Sequence, residues 1–255
     1  MRAGGVKSAE RAMQLLEFFA EGRRPASVKE ISQSLGFPQS STSMLLRALA
    51  DAGYYDHDPR TGMYSPSLRI HMAAEWIGNQ LFSERSMLRL MQQVQRQTSY
   101  TVMVGVEEGV HVRYLHVLMS TLPGAVPTRN GELRPLFRSA AGKMLVTLHP
   151  EREIALLLRR ANALEPDARN RLALEQVLQE REQTIRNGYS VSLGSSVPGQ
   201  HALAILLPVP RGAKPLTLSV GGPMRRVLRD KARLLEILHE LVEPMRRAAI
   251  HESRL

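Results

Sequence analysis

The sequence predicts an α+β chain in which a winged helix-turn-helix head is joined by a linker helix to a larger mixed domain. Three observations carry this reading. Two amphipathic stretches meet at a tight turn around Gly36, the pattern of a helix-turn-helix. A turn-rich segment, Asp56-His57-Asp58-Pro59-Arg60-Thr61-Gly62, lies between Tyr54-Tyr55 and Met63-Tyr64, as in a β-hairpin wing. Strand-like runs begin only after residue 100 and sit between helical stretches, which sets an α-rich head apart from an α+β remainder. The expected boundaries are 1–66 for the head, 67–80 for the linker helix and 81–255 for the larger domain.

In the head, Ala12, Met13, Leu16 and Phe19 recur at helical spacing, and Gly22 ends the run. Ser27-Val28-Lys29-Glu30 reads as a capping box, after which Val28, Ile31 and Leu35 form one buried face and Gly36 stops the helix. A third helix is expected from about Gln39 to Ala52, ended by Gly53. The linker helix, Ser67 to Gln80, carries Leu68, Met72, Trp76 and Ile77, and a longer helix restarts at Ser83 and runs to about Gln97.

Beyond it, Thr101–Val106 and Val110–Leu115 flank a Glu107-Glu108-Gly109 turn and predict a strand hairpin. Helices are expected at Gly142–Leu148, Pro150–Ala161 and Pro166–Asn187, followed by strands at Ala202–Val209 and Leu216–Gly221. A last helix, Arg225–Ile250, should be bent or interrupted near Pro244.

Composition narrows the function. With 255 residues, 43% of them apolar, the chain can bury a core, which excludes a disordered tail or a fibre. The absence of cysteine removes disulfides, zinc-thiolate sites, iron–sulfur clusters and thiol nucleophiles together. The longest clean apolar run, Ala202 to Leu207, is far too short to span a bilayer, and the N-terminus lacks a signal-peptide apolar segment. No membrane association and a cytoplasmic location are therefore expected.

The formal charge of +10 favours polyanionic partners, chiefly nucleic acid. Its distribution is uneven: residues 1–78 carry a net +1 and residues 79–255 a net +9. A DNA-reading head must then work by placement of a few groups. On a helical wheel of the third helix, Thr42, Leu45, Leu46 and Leu49 share the arc that must pack inward. The opposite arc holds Ser40, Met44 and Arg47, with Ser43 at its edge and Gln39 at the start.

Short polar groups on the first turns suit a recognition helix, arginine pairs with guanine or phosphate, and a methionine can meet a thymine methyl. Gln39, Ser40, Ser41, Ser43, Met44 and Arg47 are the candidate DNA contacts, with Arg60 at the hairpin tip for the adjacent minor groove or backbone. A solvated serine-rich face on a protein-binding winged helix is the alternative.

The segments VKSAERAMQLLEFFAEG, VKEISQSLGFPQSSTSMLLRALADAGYY and YYDHDPRTGMYSPSLRI resemble the head of IclR-type transcriptional regulators. The resemblance continues through RPLFRSAAGKMLVTL, RNGYSVSLGSSVPGQHALAILLPV and PLTLSVGGPMRRV, in order and over essentially the whole chain. It implies a homodimer or homotetramer with a winged head, a linker helix and a C-terminal GAF-like effector-binding domain. Such regulators act on double-stranded operators, controlling catabolic or transport genes in response to a small organic acid or aromatic effector, and repression is the expected sign.

The resemblance also points to effector-site positions: Ala140 and Ala141 in the SAAGK segment, Ser192, Ala202, Ser219 and Gly221. Arg134 stands where a small apolar residue is more usual, and Ser192 where an acidic residue is frequent. Gly221 replaces the usual partner of Ser219, and SSVPG lacks the customary acidic residues. These departures make the expected pocket less negative and leave Arg134 as a cation for an effector carboxylate, or alternatively a strand-end arginine in solvent.

Enzymatic and metal-dependent readings find little support. His111 and His116 are the closest histidine pair, and an odd separation on a strand should set them on opposite faces, so no metal site is expected. Gly4-Gly5-Val6-Lys7-Ser8 and Gly142-Lys143-Met144 fail as phosphate loops, and the serines around Ser192 and Ser219 each miss a glycine of a nucleophile elbow. No cofactor is expected.

Arg152, Arg159, Arg160, Arg169, Arg171 and Arg181 are interspersed with glutamates and read as solvated helix faces, a secondary DNA contact being the alternative. Trp76 and Met72 on a helix with little core of its own suggest a subunit interface. The rival functions are a non-specific architectural DNA-binding protein and, less favoured, a small-molecule enzyme built on the C-terminal domain.

Overall fold

The computed structural model describes residues 6–73, 87–209 and 212–252, with side chains to residue 247. The chain divides into two compact units, Met1–Asn79 and Gln80–Leu255.

The first unit contains α1 (Lys7–Gly22), β1 (Ala26–Ser27), α2 (Val28–Leu35), α3 (Gln39–Asp51), β2 (Tyr55–Asp58) and β3 (Met63–Pro66). Leu15 and Phe19 of α1 pack with Ile31, Leu46, Tyr55 and Tyr64 into the head's core. The expected inner face of α1 is rotated slightly from that found: Met13 is exposed and Leu15 takes the buried place. Both arcs are apolar in sequence, and contact with α2 and α3 decides between them.

The capping box forms as the sequence suggests: the Glu30 N–H donates to Ser27 Oγ at 3.2 Å, and the Ser27 N–H donates to Glu30 Oε2 at 2.8 Å. Gly36 adopts φ +66° at the C-terminus of α2, a left-handed conformation that lets the chain turn at once into α3. The wing is an antiparallel β2–β3 hairpin, with β1 added on the other side of β3.

Residues 68–73 are helical, and their start is tied to the head by Ser67 Oγ, which donates to the Gly53 carbonyl at 2.6 Å. Trp76, Ile77 and the expected helix start at Ser83 lie outside the described residues.

The second unit comprises α4 (Met87–Thr98), β4 (Thr101–Glu108), β5 (His111–Leu118), β6 (Leu133–Pro135), α5 (Ala140–Val146), α6 (Glu151–Leu164), α7 (Leu174–Asn187), β7 (Ser190–Leu193), β8 (Gln200–Leu207), β9 (Leu216–Pro223) and α8 (Met224–Glu252). Its six strands form one antiparallel sheet in the order β6-β5-β4-β9-β8-β7. An antiparallel sheet covered by helices on both faces agrees with the expected α+β domain and is consistent with a GAF-like one.

Because strand side chains alternate between faces, the sheet has two distinct surfaces. One carries Val102, Val104, Leu203, Ile205, Leu218 and Val220, packed under Leu90, Met91 and Val94 of α4 and Leu234, Leu238 and Val242 of α8. The other is covered by α5, α6 and α7 through Leu145, Ile154, Leu158 and Val177.

The structure departs from the sequence-based expectations at several points. The helix expected over 166–187 is a short 3₁₀ turn, Ala168–Asn170, followed by α7; Asp167 caps the turn by accepting from the Arg169 N–H. Asn162 then fixes the break, donating to the Leu172 carbonyl at 2.8 Å and accepting from its N–H at 3.1 Å. α8 continues through Pro244, so of the two outcomes expected there, a bend or an interruption, the interruption does not occur. The strands β6 and β7 are additions that no apolar run announces.

The β4–β5 register also shifts between Val104 and Gly105, leaving Leu115 as an extra residue on β5. His111 and His116 therefore lie opposite Glu108 and Val104, positions of equal parity on β4, and share a sheet face. Among the described residues, no group of three or more His, Asp or Glu side chains could hold a metal ion.

Candidate functional site

The head presents its candidate DNA contacts on α3 and the wing tip. Thr42 and Leu46 are buried, and the Thr42 hydroxyl donates to the Pro38 carbonyl at 3.1 Å, fixing the first turn. Gln39, Ser40 and Arg47 on the outward side are exposed, Met44 is 69% exposed, and Ser41 and Ser43 are half-buried at its margins. Arg47 has no intramolecular hydrogen bond or ion pair among the described residues.

At the wing tip, Asp58 builds the turn, accepting from the Arg60 N–H at 2.9 Å and the Thr61 hydroxyl at 3.0 Å. These bonds, led by that from the Arg60 backbone, hold the Asp58 carboxyl below its usual range. The Arg60 side chain projects almost free, with its Nε 3.9 Å from Asp58. One helix face and one loop thus offer hydrogen-bonding groups, an exposed methionine and two arginines. This set suits a groove edge and its flanking phosphates.

The second unit contains a cleft of about 510 Å³ including its open side, between the sheet and the segment leading into α5. Arg134, Ala140, Ser192, Ala202 and Gly221 line it. Ser192, Ala202 and Gly221 sit side by side across β7, β8 and β9. A Cβ added at Gly221 would come within 3.3 Å of Met103 Cε, so the glycine keeps this part of the floor low.

Ala141 and Ser219 are not in the lining. Ala141, next along α5, is packed into the apolar cluster with Met103, Tyr114 and Leu145. Ser219 is buried beneath the site, between Met103 and Ala204, and its hydroxyl has no hydrogen-bond partner.

Arg134 lies on β6 opposite Val112 and does not extend into solvent; its Nη2 is 2.7 Å from Glu132 Oε1, and both side chains are largely buried. Tyr114, also in the wall, has its phenol pushed up to about 12, chiefly by burial, with Arg134 opposing and Glu132 reinforcing the rise.

The helix over the cleft is set by two short-range devices. Ser139 caps α5, accepting from the Gly142 N–H at 3.1 Å. Gly142 is required because any Cβ there would stand 1.9 Å from the Leu136 carbonyl oxygen.

Sequence reasoning missed Thr101, Met103, Tyr114, Gln200 and His201 in the wall. His201 is in phase with Leu203 and Ile205 on the packed face of β8, with its Nδ1 2.7 Å from the Ser192 carbonyl oxygen.

Comparison with known proteins agrees with both units. Residues 8–59 match the model of the IclR helix-turn-helix domain, and residues 83–247 match that of the bacterial transcriptional regulator IclR C-terminal domain. The HTH-type transcriptional regulator XynR of Escherichia coli (strain K12) is 23% identical over 200 residues, covering 78% of this chain and 79% of that protein. The HTH-type transcriptional repressor AllR of the same strain is 24% identical over 232 residues, covering 89% and 84%. The crystal structure of the Thermotoga maritima IclR shares the fold with a TM-score of 0.59 at 19% identity, over 96% of this chain and 99% of that one. The matched families and relatives are transcriptional regulators rather than enzymes.

Proposed function

The chain belongs to the IclR family of transcriptional regulators, and from that premise we propose that it is an effector-responsive repressor of catabolic or transport genes. The winged head reads a double-stranded operator, and a small organic acid or aromatic molecule binds in the cleft of the larger domain. Gln39, Ser40, Met44 and Arg47 meet base edges and phosphates from α3, flanked by Ser41 and Ser43, and Arg60 meets the adjacent backbone or minor groove.

The observation that carries the reading is the pairing in one chain of an exposed helix face and wing tip with a separate domain holding a cleft lined by Arg134 and small side chains. Repression takes support from AllR, which is itself a repressor.

The chain acts as a homodimer or homotetramer in the cytoplasm. A head with a net charge of +1 makes few phosphate contacts; two heads double them and read a pseudo-palindrome. Leu68 and Met72, at 70% and 63% exposure on the helical segment 68–73, are the apolar groups that a second copy would cover. Among the described residues, no helix is long and apolar enough to cross a membrane.

In the cleft, an effector carboxylate shares the Arg134 guanidinium with Glu132, since its planar fork of donors can hold two carboxylates at once. Binding changes operator affinity only if the effector prefers one of the two arrangements of the heads.

Fluorescence anisotropy over a salt series, with DNA from upstream of the chain's own gene and a scrambled fragment, tests the DNA reading. The expected result is selectivity of about a thousandfold or more, and Arg47→Ala should reduce specific affinity by about 1–3 kcal/mol. Equal, steeply salt-dependent binding of several natural upstream fragments and the scrambled one would mean phosphate contacts alone and an architectural protein.

A further inference from the structure

Arg134 stands on the same side of the sheet as the cleft floor. Residues directly opposite one another on paired strands point to the same face. The floor therefore runs across the sheet as Thr101, Gly221, Ala202 and Ser192 on β4, β9, β8 and β7. Met103 and Gly105 continue that face along β4, Gly105 lies opposite Tyr114 on β5, and Val112, in phase with Tyr114, lies opposite Arg134 on β6. Thr101, Met103, Tyr114 and Arg134 all line the cleft.

Among the described residues of the lining, Arg134 alone carries a charge. His201 brings no second cation: its side chain is in phase with the packed face of β8, and burial, with the charge of Lys231 adding to it, lowers its pKa. Glu132 offsets Arg134. Its Oε1 lies 2.7 Å from Arg134 Nη2, and its Oε2 accepts from the Arg129 N–H at 2.9 Å. The carboxylate is thus fixed by its own turn and remains beside the guanidinium. The rest of the lining is apolar, as at Met103, Val126 and Val197, or polar and uncharged, as at Ser192.

Resting on the reading of this cleft as the effector site, we infer that its ligand carries a single carboxylate and that Glu132 helps to set that limit. One carboxylate finds the donors of the Arg134 fork that Glu132 leaves free. A second would exchange water for a wall without a cation, and a charge desolvated without a partner is costly. Glu132 adds to that cost. The Arg134–Glu132 pair has no net charge with which to attract a dianion, and its carboxylate repels one. The cleft thus selects against the second charge more than it selects for the first, and Glu132 is a specificity-determining residue.

The test is calorimetric titration of the full chain, at neutral pH and fixed ionic strength, with diacids and their half-amides. The pairs are malonate and malonamate, succinate and succinamate, and terephthalate and 4-carbamoylbenzoate. A carboxylate and a primary amide have nearly the same shape, so the members of a pair differ chiefly by one charge. In the best-binding pair the half-amide should bind at least about tenfold tighter. Glu132→Gln, which keeps an acceptor for the Arg129 N–H, should tighten both members, the diacid more, and so lower the ratio. Val126→Lys adds a second cation to the lining at a position that is 37% exposed and tolerant of a long side chain; it should lower the ratio further.

Equal or tighter binding of the diacid in the native chain overturns the inference and leaves the effector reading standing. A ratio that moves in neither variant does the same, because it would assign the preference to the amide group rather than to charge. Binding of neither member of any pair removes the effector reading, and the inference with it.

Discussion

The two faces of the six-stranded sheet are built from alternate residues of the same strands, yet they do different things. On β8 and β9, Leu203, Ile205, Leu218 and Val220 enter a close-packed layer under α4 and α8. Their immediate neighbours, Ala202, Ala204, Ser219 and Gly221, are small or hydroxylated and face α5. On β7 the same contrast sets Val191 against Ser190 and Ser192. One face therefore holds the domain together, each buried aliphatic side chain contributing roughly 1.5–3 kcal/mol. The other gives up that contribution locally, and the space left is the cleft. A buried strand face made of small side chains is thus a mark of a ligand site, readable from alternation alone.

Substitutions on adjacent positions of β9 probe the contrast most strongly. Leu218→Ala should destabilise the larger domain by about 2–5 kcal/mol, as a cavity in a packed layer does, measured by urea denaturation of the full chain. A loss below about 1 kcal/mol would show that the α8 face is less tightly packed than described. Gly142→Ala drives a methyl into the Leu136 carbonyl on the cleft side; the expected loss lies toward the upper end of about 1–3 kcal/mol, and an unchanged urea midpoint would show that α5 shifts freely.

Ser219→Ala, one residue from Leu218, should change stability by less than about 1 kcal/mol and in the favourable direction. It removes a buried hydroxyl that has no partner. A large loss would mean that this hydroxyl is engaged after all.

The smallest effect separates the faces by pH. On the cleft side, His149 sits between Glu107, 2.6 Å from Nε2, and Glu153, 3.1 Å from Nδ1. Burial alone would lower its pKa, but the two carboxylates outweigh that and raise it above the ordinary 6.5. The folded form thus binds the proton more tightly, so the contribution is fully present below about 6.5 and is lost as pH rises through the raised value.

On the packed side, Arg229 first and then the Tyr100 hydroxyl hold Asp230 down to about 2. That contribution is present above the ordinary 3.8 and lost as pH falls through about 2. Urea midpoints between pH 6 and 9 should therefore fall with rising pH in the native chain and fall less in His149→Gln. Parallel profiles would contradict the assignment to His149.

Features set by near neighbours in the chain were legible in the sequence. The Ser27–Glu30 capping box, the Gly36 turn, the Asp58–Gly62 wing tip and the outward arc of α3 all depend on residues a few positions apart. Features set by distant partners were not. The choice of Leu15 over Met13 depends on α2 and α3, and the extra residue at Leu115 reverses a parity argument that a regular strand would satisfy. β6 is only three residues and includes a proline, so no pattern announces it, although it is what carries Arg134 into the cleft. The resemblance supplied Ala141 and Ser219, and only the fold of α5 and β9 reveals that they stand behind the wall rather than in it.

The central claim is that the cleft and the winged head are energetically coupled. It is tested most directly by a reciprocal pair of titrations on the full chain with a ligand found to bind the cleft: operator affinity with and without saturating ligand, and ligand affinity with and without saturating operator. Linkage requires both to change by the same factor, expected at about 5- to 150-fold. Operator affinity that does not change at saturating ligand would contradict the account.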